Sequence, residues 1–182
     1  MIGQHKIIIT GPVGAGKTTA ITAISDIPPI STEQVATDET RGKKELTTVA
    51  MDYGSMRLDN GEMLHVYGTP GQERFNFMWD ILIDGSIGVI IMIDDANPDP
   101  LEDLGSFITA FREFIHDHAV VVGISRMELG NGLKIADYYA ALAKFDLNVP
   151  IFEVDARQRD DVMMLVQALL YSLDPGLTGE TA

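Results

Sequence analysis

The sequence predicts a single α/β domain in three layers: a mostly parallel sheet with helices on both faces. Three observations lead there. Short β-branched or apolar runs recur, as in KIIIT (6–10), IGVIIMI (87–93) and AVVVGI (119–124), the pattern of strands buried on both faces. Segments of helical period alternate with them in the second half of the chain. And 182 residues, 46% of them hydrophobic, supply one sizeable core but hardly two.

Taken in order, Lys6–Thr10 reads as a buried strand that ends at Gly11. Thr18–Ser25 reads as a helix stopped before Pro28-Pro29. Residues 30–47 are polar, with almost no apolar period, and read as a long functional connection. Thr48–Leu58 and Met63–Tyr67 flank Asp59-Asn60-Gly61-Glu62, a strong hairpin signal. Ile87–Ile93 is a fully apolar strand. Leu101–His116 has helical spacing at Leu104, Phe107, Ile108, Phe111, Phe114 and Ile115. Ala119–Ile124 and Ile151–Val154 are strands, and Leu133–Phe145 and Asp160–Leu173 are helices. The count is six strands in a mixed sheet, of which the second alone runs antiparallel. Residues 1–174 form the domain and 175–182 a frayed tail.

Composition narrows the function. A net charge of −14 repels phosphate backbones and anionic lipid, so no nucleic acid and no polybasic membrane contact is expected. A polyanion has to be held in a small local pocket. The absence of cysteine excludes disulfides and thiolate metal sites. The N-terminal apolar run is too short for a signal peptide or a membrane span, and no lipidation motif or direct membrane anchor is read. A cytoplasmic location is expected.

In a sheet of this kind ligands sit beyond the carboxyl ends of the strands, here the loops after residues 10, 67, 93, 124 and 154. The first loop reads Gly11-Pro12-Val13-Gly14-Ala15-Gly16-Lys17-Thr18, or G-x-x-x-x-G-K-T, between a strand and a helix. Its glycines allow main-chain N–H groups to point inward, and the helix start adds a partial positive charge. Lys17 brings a full charge to the β- and γ-phosphates, and the Thr18 hydroxyl suits Mg²⁺. Gly11, Val13, Gly14, Ala15, Gly16, Lys17, Thr18 and Thr19 thus form the predicted triphosphate cradle.

The second loop, HVYGTPGQERF (65–75), carries two glycines and a proline after a strand. Gly71 allows its own N–H to reach a phosphate oxygen with no side chain in between, and Gln72 follows where an attacking water can be oriented. Cradle, hairpin and GQERF together resemble the Ras-like small GTPases of the P-loop NTPase superfamily. GQERF is especially like the Rab branch, and the resemblance spans residues 5–173. It implies GTP/GDP and Mg²⁺ as cofactors, slow hydrolysis stimulated by a partner, and two switch loops, 30–48 and 68–80. It also implies that Thr48 (Thr47 as fallback) closes on Mg²⁺ and the γ-phosphate.

The chain departs from that family in three places. Gly68 stands where D-x-x-G has its aspartate, which normally holds Mg²⁺ through a water. Bacterial MglA-like polarity GTPases also depart there and also have Pro-Gly-Gln, so the chain resembles a bacterial member, with a Roadblock/LC7-type activator as an implied partner. Val13 occupies a cradle position where Ras has glycine. N-K-x-D is replaced by Ser125-Arg126-Met127-Glu128. Glu128 can accept guanine's N1/N2 donors, Arg126 can lie on the base face, and Asp155-Ala156-Arg157 resembles the S-A-K loop that meets guanine O6. Two other readings stay open: an ATPase of the wider P-loop class, with Asp94 or Asp95 holding Mg²⁺, and a nucleotide-binding adaptor without hydrolysis.

Overall fold

A computed structural model describes residues 3–36, 47–71, 76–130 and 132–173. The sheet has the order β2-β3-β4-β1-β5-β6-β7. Its strands are β1 (Gln4–Thr10), β2 (Ile30–Ala36), β3 (Thr47–Arg57), β4 (Met63–Gly68), β5 (Gly88–Asp94), β6 (Ala119–Ser125) and β7 (Ile151–Val154). β3 runs antiparallel to both its neighbours, and every other pairing is parallel. The α/β fold class and its single reversed strand are therefore as the sequence predicts. All six expected strands are present, and β2 extends the edge as a seventh.

β2 corrects one local reading. Residues 30–36 belong to a strand paired with β3 from Ile30↔Tyr53 to Ala36↔Thr47, so the polar connection is shorter than 30–47. Main-chain pairing at a sheet edge leaves little hydrophobic signal, because one side of the ladder suffices to form it. Residues 37–46, the centre of the expected first switch, lie outside the described residues.

Parity along the strands builds the two cores. Ile7, Ile9, Ile90, Met92 and Val121 point to one face, under α1 (Lys17–Ile24) and α6 (Arg159–Leu173), and meet Ile21, Ile24, Leu165 and Leu169. Ile8, Val89, Ile91, Ile93 and Val122 point to the other. There they meet Trp79 and Leu82 of α2 (Asn76–Ile83), Leu104 and Phe107 of α3 (Pro100–Ala110), Phe114 of α4 (Arg112–Asp117) and Leu142 of α5 (Ile135–Ala143). All seven residues of β5 are buried, which accounts for its unbroken apolar run. Each fully buried Ile or Leu side chain contributes about 1.5–3 kcal/mol relative to exposure.

The expected single helix over 101–116 is two. α3 ends and α4 begins around Phe111, whose φ of −99° and ψ of 13° lie off the helical line. Both pieces keep the apolar stripe, so periodicity alone does not reveal the break. α3 starts as its sequence suggests. Asp99 accepts from the Glu102 N–H at 3.0 Å, and Pro100 fills the first turn. Among the described residues no helix is long and apolar enough to cross a membrane.

Candidate functional site: a phosphate cradle beside a base-sized cleft

β1 delivers the chain into the cradle at Gly11, where φ is 144° and a Cβ would lie 2.0 Å from the Met92 carbonyl oxygen of β5. Only glycine passes through that gap. The loop then turns through an Ala15 N–H to Pro12 O bond of 3.2 Å, and α1 begins at Lys17. The Lys17 ammonium is partly buried and donates to Gly11 O at 2.8 Å and Pro12 O at 2.7 Å.

Desolvation lowers the Lys17 pKa from 10.5 to about 8, with the Asp52 carboxylate opposing the shift. In the unfolded chain the ordinary value returns, so between about 8 and 10.5 the unfolded state holds the extra proton. This group therefore adds stability as pH rises through that window. Below it both states are charged and the burial penalty acts in full. A bound phosphate favours the charged ammonium, so triphosphate binding is expected to take up a proton above about pH 8. Calorimetric enthalpies at about pH 9, above both the terminal phosphate and Lys17, should then depend on the ionisation enthalpy of the buffer, and less so as the pH is lowered toward about 7.5. Buffer-independent enthalpies at the higher pH would count against Lys17 as a phosphate ligand.

The second loop comes to the same rim. Thr69 is buried, donates its N–H to Ile9 O at 3.0 Å, and shares a 2.7 Å hydroxyl bond with Thr10. The Trp79 indole N–H donates to Pro70 O at 3.2 Å while its ring stacks on Phe107 and Phe111. Gly71 is thereby pressed onto the cradle, where a Cβ would meet Val13 N at 2.6 Å and Lys17 Nζ at 2.9 Å. The two glycines and the proline of this loop thus have a steric reason: the main chain itself is the contact surface. Gln72 lies outside the described residues. Thr48 is in β3, opposite Val35 in the ladder, and its side chain is likewise outside them. Val13 stands 63% exposed at the cradle lip.

On the other side of the cradle is a cleft of ≈ 620 Å³. Every base-reading residue expected from sequence lines it: Ser125, Arg126, Glu128, Asp155, Ala156 and Arg157, beside Gly14, Ala15, Gly16 and Thr19 of the cradle. Ser125 is buried, with its hydroxyl 3.3 Å from Ala15 O and 3.2 Å from Ile93 O, so it ties β6 to the cradle. Arg126 adopts a left-handed backbone with φ 58°. Its guanidinium pairs with the buried Asp94 carboxylate and donates to Gly14 O at 3.1 Å. The charged head is thus fixed as a strut, and the side chain forms cleft wall. Ala156 is buried against the cradle, 3.0 Å from where a Cβ on Gly16 would lie. Arg157 folds onto Asp155, and its hydrogen bonds hold that carboxyl down at about 2.

Leu129, Glu153 and Asp161 also line the cleft and were not expected. Asp161 has a sequence signal after the fact: it sits in the first turn of α6, and its carboxylate accepts from the Asp155 N–H at 2.8 Å. Glu153 projects from a four-residue strand whose pattern marks only Ile151 and Val154 as buried. The acids that the sequence offers as Mg²⁺ candidates each have a protein partner through at least one oxygen. Asp94 serves Arg126, and Asp95 accepts from the buried Tyr138 hydroxyl, whose pKa is raised by burial first and by that carboxylate second. The His116-Asp117 pair is exposed at a helix end. Among the described residues no group of three His, Asp or Glu could hold a metal. A larger cavity of ≈ 750 Å³ between α3 and α5, bordered by Phe107 and Phe145, contains none of the predicted residues.

Comparison with known proteins places this geometry. The chain is similar to the Ras-related protein RabC of Dictyostelium discoideum, 21% identical over 93% of this chain and 84% of that protein. It is similar to the Ras-related protein SEC4 of Saccharomyces cerevisiae, 25% identical over 86% of this chain and 69% of that protein. An uncharacterized protein of Methanocaldococcus jannaschii, MJ1339, is 30% identical over 100 residues, and the match spans 57% of its length, little more than half. A protein family described as "Conserved hypothetical ATP binding protein" matches residues 28–168. With its cradle, second loop and cleft on one rim, the chain is a nucleotide-binding P-loop protein and belongs to that family.

Proposed function

We propose that the protein is a GTP-binding switch that hydrolyses GTP slowly with Mg²⁺ and signals through its first and second switch segments. The observation that carries this reading is the packing of the Gly71 main chain onto Val13 and Lys17. A loop seated there touches the outermost phosphate of a bound triphosphate and loses that contact when the phosphate leaves. Lys17 and the cradle N–H groups hold the phosphates, Thr18 supplies a hard oxygen ligand, and Gln72 orients the attacking water. Mg²⁺, when bound, neutralises charge on the β- and γ-oxygens. Such a cation is commonly held by one or two protein oxygens together with the phosphates, which suits a site with no group of three acids among the described residues. A regulator of the Roadblock/LC7 type at the switches belongs to the likeness to MglA-like proteins. That likeness rests on Gly68 and Pro70-Gly71-Gln72.

Guanine is the preferred base in this reading. Glu128 can accept the paired donors of guanine's N1/N2 edge, which adenine lacks, and Glu153, Asp155 and Asp161 add to the acidic rim. GTP is then expected to displace a fluorescent guanine nucleotide at a concentration at least about tenfold below ATP. The family's printed description supports the second reading, in which ATP is the ligand. Equal displacement, or displacement by ATP first, would favour it. Single-turnover assays complete the test: Gln72→Leu should slow hydrolysis and spare affinity, and an unchanged rate would remove Gln72 from the mechanism.

A further inference from the structure

Asp52 lies on β3 directly opposite Gly68 in the antiparallel ladder. Its Oδ2 accepts from the Thr18 hydroxyl, across 34 residues of chain. A Cβ added at Gly68 would lie 3.3 Å from Asp52 Cβ, 3.6 Å from Oδ2 and 2.9 Å from Ile21 Cδ1. A side chain at 68 would therefore crowd the Asp52 side chain and the tip of Ile21 on α1. The carboxylate beside Thr18 comes from the neighbouring strand.

We infer that Asp52 is the carboxylate that positions Mg²⁺ in this protein, in place of the aspartate missing at 68. The inference rests on the nucleotide-binding reading above. A hydroxyl that donates its proton to a carboxylate turns its lone pairs toward a cation, and the second carboxylate oxygen, without a hydrogen bond among the described residues, can hold a cation-bound water. Asp52 therefore acts through Thr18 and through that water; it is a positioning residue. The glycine at 68 and the aspartate at 52 thus sit side by side across the ladder, and the acid is on β3.

The full chain is loaded with a fluorescent guanosine diphosphate, and its dissociation is followed as free Mg²⁺ is varied. For Asp52→Ala, the Mg²⁺ needed for half-maximal retention should rise about 10–100-fold, while dissociation in excess chelator stays that of the wild type. Asp52→Asn keeps the shape and the acceptor for Thr18 but loses the charge, and should fall between the two. Asp52→Gly with Gly68→Asp moves the carboxylate back across the ladder, and should recover much of the wild-type Mg²⁺ requirement. An unchanged requirement in both single variants overturns the inference and leaves the nucleotide reading standing. A faster off-rate in chelator equal to that in Mg²⁺ also overturns it, since the defect is then not in the metal. Wild-type protein that retains no nucleotide overturns the parent reading, and this inference with it.

Discussion

Gly11→Ala should lower the stability of the ligand-free protein by about 3–5 kcal/mol, combining a strained backbone with overpacking. The residue sits at φ 144°, and its new methyl would be placed 2.0 Å from Met92 O. Neither obstacle can move cheaply. Met92 is in β5, fully buried, paired with Gly123 of β6 and one residue beyond the Thr10↔Ile91 pair with β1. The alternatives are to push β1 off the sheet or to lift the cradle away from it. A loss of that size is a large fraction of the ~5–15 kcal/mol that holds a typical domain. Denaturant titration followed by the fluorescence of Trp79, the single tryptophan and a buried one, reads it directly. Val13→Ala, two residues along and exposed, should change stability by less than about 0.5 kcal/mol. A Gly11→Ala midpoint equal to that control would mean that the strand end is looser than its contacts indicate.

Lys17→Ala should weaken triphosphate binding by about 10²–10³-fold, or about 3–4 kcal/mol. The ammonium is anchored between two cradle carbonyls, and desolvation already disfavours its charge. That site returns free energy when an anion arrives, and an alanine has nothing to return. Binding of a nucleoside monophosphate should change far less, because the β- and γ-oxygens are the intended partners. Lys17→Arg should rescue poorly: a planar fork does not replace a point charge held by two carbonyls 2.8 and 2.7 Å away. Ligand-free stability at neutral pH should be unchanged or raised, since a buried ammonium is removed. Triphosphate affinity close to that of the wild type would show that the cradle amides suffice and that the proposed role of Lys17 is wrong.

Reading order explains what the sequence disclosed about the site. The cradle is eight consecutive residues between a strand and a helix, so its geometry follows from near neighbours. The cleft residues at 125–128 and 155–157 were legible for the same reason, since they stand at fixed offsets from apolar strands. What those side chains do was less legible. The sequence allows either the head or the stem of Arg126 on the base face; the head is held by Asp94 from the adjacent strand, which leaves the stem to the cleft. The first five residues of α2 fall in the predicted second switch, 68–80, and Trp79 among them packs on Phe107 of α3 and on Phe111. β2 was hidden because an edge pairing is written in the main chain.

The amino-acid order by itself determined the α/β class, the hairpin at Asn60-Gly61, the cradle and the rim on which ligands gather. Each depends on contacts within a few residues or on burial on both faces of a strand. Only the tertiary structure decided where the missing acid of D-x-x-G went. Asp52 meets Thr18 through the register of β3 on β4, and a slip of one residue would turn it to the opposite face of the sheet.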